Sequence, residues 1–293
     1  MTAQLGLHPT PTLTSYARRA ARKTRFTHAT SKLRELPDYL IIGVQRGGTS
    51  SLHTYLVQHP AVARAYLKEI HYFDRNFHRG VDWYRSFFPT RTYMDYLRRK
   101  TGSRVVCGDA TPGYFFNPHT PFRVAELLPD VKLILLLRNP IDRAYSNYCH
   151  RVAQGLEHLD TFESAIESET ARIEGEREKM LEDPTYVSEE YRLHSYLARG
   201  IYADQLETWF KLFPPESFLI ERSEDLFADP ATVVNRVFRF LGVPEFKLPQ
   251  YPTYNALRSG KISPETRARL VDYFRPHNER LYALVGRDFA WDR

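Results

Sequence analysis

Residues 43–51 carry the first pattern whose residue types and spacing could support chemistry. Gly43 is followed, after four intervening residues, by Gly48, Thr49 and Ser50. This is the spacing of a loop that binds nucleotide phosphates, except that Thr49 stands where such loops carry a lysine. Glycines let a backbone wrap around an anion, and hydroxyl groups donate hydrogen bonds to it. The pattern therefore predicts a phosphate-binding loop, although an ordinary glycine turn between a strand and a helix remains the alternative.

Arg46 and the absent lysine indicate which phosphate group the loop would suit. A triphosphate-binding loop uses its lysine to clamp the β- and γ-phosphates, so that clamp is incomplete here. Arg46 offers a fixed charge and a bidentate fork instead. The sequence therefore favours a ligand that has one terminal 5′-phosphate and needs no magnesium. A magnesium-dependent P-loop kinase is the first alternative, and the missing lysine argues against it.

A second candidate anion site lies at the end of the most apolar run, residues 131–140. Arg138 ends the apolar part of this run, and Ser146 follows eight residues later, two turns into a predicted helix. A tight turn between strand and helix would let both side chains converge on one anion. A surface arginine at a strand-end turn explains Arg138 at least as well when it is considered alone. Together with the first loop, the pair favours a ligand with two separated phosphates.

Apolar runs and helical spacing predict the elements that must position these side chains. Strands are predicted at residues 38–44, 62–66, 104–108, 131–140 and 217–227, and helices at 50–59, 122–129 and about 264–285. Alternation of strands and helices implies a parallel sheet that is covered on both faces. Ligands of such sheets bind at the carboxyl ends of the strands, where both candidate anion sites begin.

Composition and charge narrow the domain organisation and the class of partner. The 293 residues are 42% hydrophobic and 26% charged, with a formal net charge of +6, which fits a globular domain that attracts an anionic ligand. Residues 1–37 are a basic arm that could make weak contact with an anionic membrane surface. Residues 38–293 are predicted to be a single domain, with an acidic helical insert at about 150–200. No basic module interleaved with aromatic residues is present, so nucleic-acid binding is not expected.

The cysteine content and the lengths of the apolar runs argue against a disulfide-rich or metal-binding protein and against a membrane-spanning one. Cys107 and Cys149 are the two cysteines, without a CxxC pair or a Cys/His cluster, so neither a disulfide scaffold nor a metal site is expected. The longest purely apolar run, at 133–137, is far shorter than the ~20 residues of a membrane helix. We therefore expect a cytoplasmic protein with no metal and no transmembrane segment.

Five motifs, taken together, resemble those of one enzyme family. In chain order they are IIGVQRGGTSSLHTYLVQHP, KEIHYFD, GVDWYRSFFP, DATPGYF and LILLLRNPIDRAYSNY. Their order and spacing are similar to those of the sulfotransferases that use 3′-phosphoadenosine 5′-phosphosulfate (PAPS), and most similar to the heparan sulfate N- and O-sulfotransferases and their bacterial relatives. The resemblance covers about residues 38–292. It implies an α/β fold, a P-loop NTPase-like three-layer sandwich with a central parallel sheet.

The resemblance assigns the two candidate anion sites to the two phosphate groups of PAPS. It implies that the 5′-phosphosulfate is bound by Arg46, Gly47, Gly48, Thr49, Ser50 and Ser51. It implies that the 3′-phosphate is bound by Arg138 and Ser146. Arg258, Gly260 and Lys261 resemble part of a basic loop that, late in the chain of family members, closes over the cofactor.

Glu69 matches the general base of the family, in the stretch Lys68–Asp74. The base would take the proton of an acceptor hydroxyl as its oxygen attacks sulfur in line. On residue type alone, Glu69 would be a solvent-facing carboxylate in a turn. His71 could orient Glu69 or act as a second base, and Asp74 is expected to be structural.

Two positions depart from the animal members of the family. Arg46 stands where their first loop usually carries lysine, and Ala110 replaces a second lysine. Because an arginine has a pKa above ~12, it stabilises charge but is a poor proton donor. We predict that Arg46 stabilises the leaving phosphate without protonating it, and that Lys68 supplies a second cation. The cysteine pair near the C-terminus of the animal enzymes is also absent, which fits a cytosolic protein.

The motifs together predict a PAPS-dependent sulfotransferase that acts on a hydroxyl, or less favourably an amine, of a glycan or a glycosylated metabolite. Glu69, Arg46 and Lys68 are its predicted catalytic residues. A non-catalytic module that binds adenosine bisphosphate or a sulfated glycan is the alternative from another functional class. The sequence determines neither the acceptor and its regiochemistry nor the oligomeric state.

Overall fold

The computed structural model describes residues 28–252 and 262–291. Within them, one five-stranded parallel sheet has the strand order β2-β3-β1-β4-β5. The strands are β1 Tyr39–Gly43, β2 Val62–Ala63, β3 Val106–Ala110, β4 Lys132–Leu137 and β5 Phe218–Arg222. Helices flank the sheet, so the predicted α/β class with a central parallel sheet is confirmed.

Strand β1 lies at the centre of the sheet and is buried along its whole length. It pairs with β3 on one side and with β4 on the other, so that Tyr39 is opposite both Gly108 and Lys132. Gly108 is required by this packing, because a Cβ atom there would lie 2.4 Å from the ring of Tyr39. Burial on both faces explains why β1 and β4 are continuous apolar runs rather than alternating ones. The carboxyl ends of β1, β3 and β4 consequently lie side by side.

Helices precede, connect and follow these strands. In the described residues they are α1 Thr49–Leu56, α2 Tyr72–Arg75, α3 Gly80–Arg85, α4 Arg91–Thr101, α5 Thr120–Leu127, α6 Pro140–Ala153, α7 Phe162–Glu167, α8 Glu169–Ile173, α9 Glu176–Glu182, α10 Glu189–His194, α11 Tyr202–Phe210, α12 Ser223–Ala228, α13 Pro230–Leu241 and α14 Pro264–Val285. Short 3-10 turns lie at Ser31–Leu33, Phe77–Arg79, Ala198–Gly200 and Pro215–Ser217. None of these described helices combines the length and the apolar character that crossing a membrane requires.

Helix α6 positions one of the candidate anion-binding residues. Asn139 caps its first turn by accepting hydrogen bonds from the backbone N–H groups of Ile141 and Asp142, at 3.0 and 3.4 Å. Pro140 occupies the first helical position, where a missing N–H breaks no hydrogen bond. The turn between β4 and α6 is therefore tight, and Ser146 lies two turns into the helix.

The acidic segment at 150–200 forms short helices around a buried carboxylate. Glu157, whose side chain has no exposed surface, accepts hydrogen bonds from Arg172 at 2.7 and 3.1 Å and from the Tyr196 hydroxyl at 2.8 Å. The backbone N–H groups of the next two residues donate to the same carboxylate. The helical character expected of this segment is present, while its status as an insert, and the arm at 1–37, stay predictions.

Some boundaries differ from those that the sequence patterns predict. Strand β3 begins and ends two residues later than the predicted 104–108. The strand predicted at 217–227 is wrong beyond Arg222, because the chain turns there into helix α12. Glu224 and Asp225 in the first turn of α12 stabilise a helix through its dipole, which the apolar pattern does not reveal. Helix α4 is an addition to the predicted elements.

Candidate active site

The glycine-rich loop between β1 and α1 is tied to neighbouring elements through its backbone. The N–H of Val44 donates to Leu136 O in β4 at 2.9 Å, and the N–H of Gly47 donates to Val44 O at 2.9 Å. The hydroxyl of Ser223, the first residue of α12, donates to Gly47 O at 2.8 Å. A Cβ atom at position 47 would lie 2.9 Å from Leu136 O, so this close approach requires glycine. The loop is therefore held in one shape by β4 and α12.

The amino terminus of α1 supplies the hydrogen-bond donors that an anion would meet. Gly48 has a φ of +87° and precedes Thr49, the first residue of the helix. The first N–H groups of a helix have no acceptor within the helix, and they form the positive end of its dipole. The N–H of Gly47 is already bonded within the loop, so Gly47 provides shape and the backbone donors begin at Gly48. The hydroxyl groups of Thr49, Ser50 and Ser51 lie on the same first turn.

The structure brings the two candidate anion sites together. Nε of Arg46 donates a hydrogen bond to Oγ of Ser146 at 3.0 Å. A guanidinium nitrogen of Arg138 donates to the backbone oxygen of Arg46 at 2.9 Å. Burial, followed by the nearby charge of Arg138, lowers the pKa of Arg46 from its usual value. Two cations this close repel each other, so an anion near both would stabilise the pair.

Glu69 lies in the turn after β2, and its backbone is anchored to β3. Its N–H donates to the oxygen of Ala110, the last residue of β3, at 3.1 Å. Its φ is +58°, which is uncommon for a residue other than glycine and often marks a functional site. The side chain is 43% exposed, and its Oε1 accepts a hydrogen bond from Nζ of Lys68 at 2.6 Å. Lys68 therefore lies against the candidate base.

The charge state of Glu69 depends on its two neighbours. Nε2 of His71 lies 3.7 Å from Oε2 of Glu69. Burial raises the pKa of Glu69, but the contacts with His71 and Lys68 outweigh burial and lower the pKa to about 2. Glu69 is therefore ionised at neutral pH and able to accept a proton. A carboxylate with so low a pKa is nevertheless a weak base for as long as both His71 and Lys68 stay beside it.

His71 connects Glu69 to a buried carboxylate. Nδ1 of His71 lies 2.9 Å from Oδ2 of Asp74, whose side chain is 8% exposed, and Nε2 contacts the guanidinium of Arg75. Burial lowers the pKa of His71, but the hydrogen bond with Asp74 and the nearby carboxylate of Glu69 outweigh burial and raise the pKa. Asp74 thus orients a side chain of the site, in addition to the structural role expected of it.

Glu69, His71 and Asp74 line a cavity of about 240 Å³ that also reaches Gln45 of the glycine-rich loop. Its lining includes four arginines that are absent from the predicted site, namely Arg75, Arg151, Arg192 and Arg199. Arg192 and Arg199 cannot be identified as site residues from the sequence, because they follow an acidic, helical segment whose pattern is typical of a solvated surface. Arg151 follows Ser146 on α6 by five residues, and only the helix geometry turns it towards this cavity.

Some predicted site residues stay untested by the geometry. Arg258, Gly260 and Lys261 lie outside the described residues, so their contribution stays a prediction. The role of Lys68 as a second cation also stays a prediction, because its nearest partner is Glu69. Across residues 28–252 and 262–291, no three His, Cys, Asp or Glu side chains are grouped as metal ligands.

Comparison with protein families gives one match over most of the chain. The family model described as "Sulfotransferase domain" matches residues 36–270. Among solved structures, a sulfotransferase from Alicyclobacillus acidocaldarius is 32% identical, with a TM-score of 0.67 over 88% of this chain and 100% of that one. The similarity therefore includes the glycine-rich loop, the Glu69 turn and α6.

Curated relatives are similar at the same level. The membrane-associated sulfotransferase kil1 of Dictyostelium discoideum is 30% identical over 89% of this chain and 67% of its own length. Heparan sulfate glucosamine 3-O-sulfotransferase 3B1 of Mus musculus is 32% identical over 91% of this chain and 67% of its own length. The chain thus spans about two thirds of the length of these relatives.

Proposed function

The chain belongs to the sulfotransferase domain family, and from this premise we propose that it moves a sulfuryl group from PAPS to a hydroxyl, or less favourably an amine, of a glycan or glycosylated metabolite. As a sulfotransferase it is an enzyme of the transferase class. Relatives named as heparan sulfate glucosamine 3-O-sulfotransferases support a carbohydrate acceptor. The observation that carries the proposal is one cavity, in which Gln45 of the glycine-rich loop and the carboxylate of Glu69 face the same space.

The donor site comprises residues 46–51 with Arg138 and Ser146, and its residues fit PAPS. A Cβ atom at Gly47 would lie 2.9 Å from Leu136 O, and one at Gly48 would lie 2.8 Å from the ring of Phe227, so both glycines let the loop pack closely against β4 and α12. Backbone donors from Gly48 onward and the hydroxyl groups of α1 suit the 5′-phosphosulfate. Arg138 and Ser146 suit the 3′-phosphate, and both contact Arg46.

Glu69 is the group that takes the acceptor proton in this proposal. When bound, PAPS would supply a sulfuryl group and a leaving bisphosphate. The acceptor oxygen forms the new bond to sulfur as the bond between sulfur and the phosphate oxygen breaks. The electron pair of the broken bond stays with the phosphate oxygen. Glu69 accepts the proton of the acceptor hydroxyl, and His71, held by Asp74, keeps the carboxylate oriented. Arg46 stabilises the charge that grows on the leaving phosphate.

Lys68 links the base to the leaving group. It lies 2.6 Å from Glu69 and lowers the pKa of that carboxylate. If Lys68 turns towards the leaving phosphate, Glu69 loses this contact and becomes a stronger base at the moment when it must accept a proton. The same movement would place at the leaving phosphate the second cation that the sequence predicts. A cytoplasmic location, expected from the cysteine content, stays a prediction.

A transfer assay tests the proposed function directly. We expect radiolabelled sulfate to pass from PAPS to glycan acceptors at a rate that a metal chelator does not change. Glu69→Gln should lower the rate by about 10²–10⁴-fold, because general-base catalysis is lost. It should leave the affinity for adenosine 3′,5′-bisphosphate unchanged, since Glu69 is outside the donor site. Glu216→Gln, which removes an exposed carboxylate in the turn before β5, is the matched control.

Two results would contradict the proposal. Tight binding of the bisphosphate without transfer to any acceptor would favour a non-catalytic binding module. Chelator-sensitive phosphoryl transfer from ATP would favour a kinase.

A further inference from the structure

The cavity beside Glu69, here called the acceptor cavity, contains more positive than negative charge. Four arginines and two carboxylates line it. Both carboxylates are already engaged, because Glu69 pairs with Lys68 and Asp74 pairs with His71. Of the arginines, Arg75 contacts His71 and Asp74, and Arg192 pairs with the exposed Glu189. The charges that remain to be balanced are those of Arg151 and Arg199.

Among the residues that the structure describes, Arg151 and Arg199 are buried cations without a carboxylate partner. Their side chains belong to residues that are 4% and 7% exposed. One nitrogen of Arg151 donates to Oε1 of Gln154 at 3.0 Å, and one of Arg199 donates to the backbone oxygen of Arg192 at 3.0 Å. The Nε atom of each has no acceptor in the part of the chain that the structure describes. Neither side chain forms an ion pair with a carboxylate among those same residues.

Each of the two guanidinium groups is destabilised by its surroundings. Burial, and then repulsion by other arginines, lowers the pKa of Arg199 to about 9 and that of Arg151 to about 10. Both groups therefore keep their charge at neutral pH. A buried charge without a partner is strongly unfavourable, and removing it from water is offset only by a well-placed opposite charge. The cavity between these side chains and Glu69 is thus suited to an anionic molecule.

We propose that the acceptor carries an oxyanion, a carboxylate, sulfate or phosphate, that Arg151 and Arg199 bind in the acceptor cavity while its reacting hydroxyl lies at Glu69. The guanidinium fork matches the geometry of such oxyanions. Arg199 also lies over the ring of Phe116, with 4.2 Å between the guanidinium carbon and the ring centroid. The inference rests on the proposed function, and it narrows the acceptor to an acidic molecule.

The donor provides the competing explanation for these arginines. Arg46 contributes to the lowered pKa of Arg151, so the charge of Arg151 acts close to the donor site. If both arginines served the phosphosulfate, their removal would weaken binding of the bisphosphate. If they serve the acceptor, their removal would weaken acceptor binding alone.

The experiment uses radiolabelled PAPS with extracts of the source cells that have been separated by charge on an anion-exchange column. We expect label to enter the retained, anionic fractions and not the neutral flow-through. Amidation of carboxylates before the assay identifies an acceptor that is a carboxylic acid, and phosphatase treatment identifies a phosphate. An acceptor that survives both treatments but is lost after sulfatase treatment is a sulfate ester.

Substitutions then assign the oxyanion to its residues. Arg151→Gln and Arg199→Gln should each raise the KM for the retained acceptor about tenfold or more, because a charge-assisted hydrogen bond is lost. Both should leave the affinity for adenosine 3′,5′-bisphosphate unchanged. Arg269→Gln removes a cation from the exposed face of α14 and is the charge-matched control. Each substitution removes a buried charge but also a hydrogen bond, so the unfolding curve of each variant is measured first and KM is compared only between folded proteins.

The outcomes that contradict this inference differ from the outcome that contradicts the proposed function. Label that enters neutral acceptors as readily as anionic ones would overturn this inference and leave the proposed function intact. A loss of bisphosphate affinity in both arginine variants would assign these residues to the donor and overturn the inference as well. Bisphosphate binding without transfer to any fraction would overturn the proposed function, and the inference with it.

Discussion

The donor site and the acceptor cavity are adjacent but are built in different ways. Most of the donor site is one contiguous stretch, residues 46–51. Its shape is set by the hydrogen bond from the Val44 N–H, just before it, to β4 and by the bond that Gly47 O accepts from the Ser223 hydroxyl of α12. The acceptor cavity is assembled from side chains on α2, α6, α10 and a 3-10 turn, which are far apart in sequence. A site made of backbone groups depends on the path of the main chain. A site made of charged side chains depends on the hydrogen bonds and ion pairs that fix the position of each charged group. The two regions should therefore fail in different ways when they are perturbed.

Arg46→Ala is expected to give the largest effect, and it perturbs the donor site. Arg46 is the charge that the loop offers in place of the missing lysine, and it contacts both Ser146 and Arg138. Its loss should lower kcat by about 10²–10³-fold, because electrostatic stabilisation of the leaving phosphate is removed. Single-turnover kinetics with saturating PAPS would measure this change.

The partner variant is Arg46→Lys, which keeps the charge and can also donate a proton. It should recover most of the lost rate if charge is what Arg46 provides. Arg91→Ala, at the exposed start of α4, is the control. An unchanged kcat in Arg46→Ala would mean that the loop does not hold the transferred group.

Glu157→Gln perturbs the support of the acceptor cavity and leaves the donor site alone. Removing one partner of a buried charge pair costs about 3–5 kcal/mol of folding stability, so the free energy of unfolding should fall substantially. The donors to Glu157 include Tyr196, in the segment between Arg192 and Arg199, so acceptor KM should rise while bisphosphate affinity stays constant. Urea unfolding would measure the free energy of unfolding, steady-state kinetics the acceptor KM, and titration calorimetry the bisphosphate affinity.

The same residue predicts a pH dependence. Burial raises the pKa of Glu157, but hydrogen bonds from Arg172, a backbone N–H and Tyr196 outweigh it and lower the pKa from 4.5 to about 2. The carboxylate therefore contributes stability above pH 4.5, and this contribution is lost as the pH falls towards 2. Glu157→Gln should flatten this acid limb of the stability curve. An identical limb in the variant would show that another carboxylate governs acid unfolding.

The contrast between the two regions also explains how much could be predicted from the sequence. The parallel sheet and the glycine-rich loop follow from local patterns, because strand ends and helix starts are encoded by neighbouring residues. The convergence of Arg138 and Ser146 on one anion stays a prediction, because each of them contacts Arg46. The arginines of the acceptor cavity could not be predicted, since nothing local distinguishes Arg151 or Arg199 from a surface arginine. Their burial and their lack of partners exist only after distant helices have packed together.

Gly47→Ala tests whether the donor site depends on the path of its backbone. A methyl group at position 47 would approach Leu136 O to 2.9 Å, so the loop must shift to accept it. We expect the dissociation constant of the bisphosphate to rise about tenfold, within the usual range for strain at a site of close approach. Gly155→Ala is the control for backbone strain without a clash, because the φ of +68° disfavours alanine there while a Cβ atom meets nothing within 4 Å. Equal effects of the two substitutions would mean that the loop is not shape-dependent.

Lys68→Ala is expected to give the smallest effect and to separate the two regions most sharply, because Lys68 is the proposed link between Glu69 and the leaving phosphate. Without Lys68, one of the contacts that hold the pKa of Glu69 at about 2 is lost, so the pKa should move upward towards its usual 4.5. Since Glu69 must be ionised to accept a proton, activity disappears as the pH falls through its pKa. The acid limb of kcat/KM should therefore move to higher pH in the variant, while bisphosphate affinity changes little.

If Lys68 also serves the leaving phosphate, kcat at neutral pH will fall by about tenfold even though Glu69 is fully ionised there. A shifted limb with an unchanged plateau would restrict Lys68 to the base, and an unchanged profile would contradict both roles.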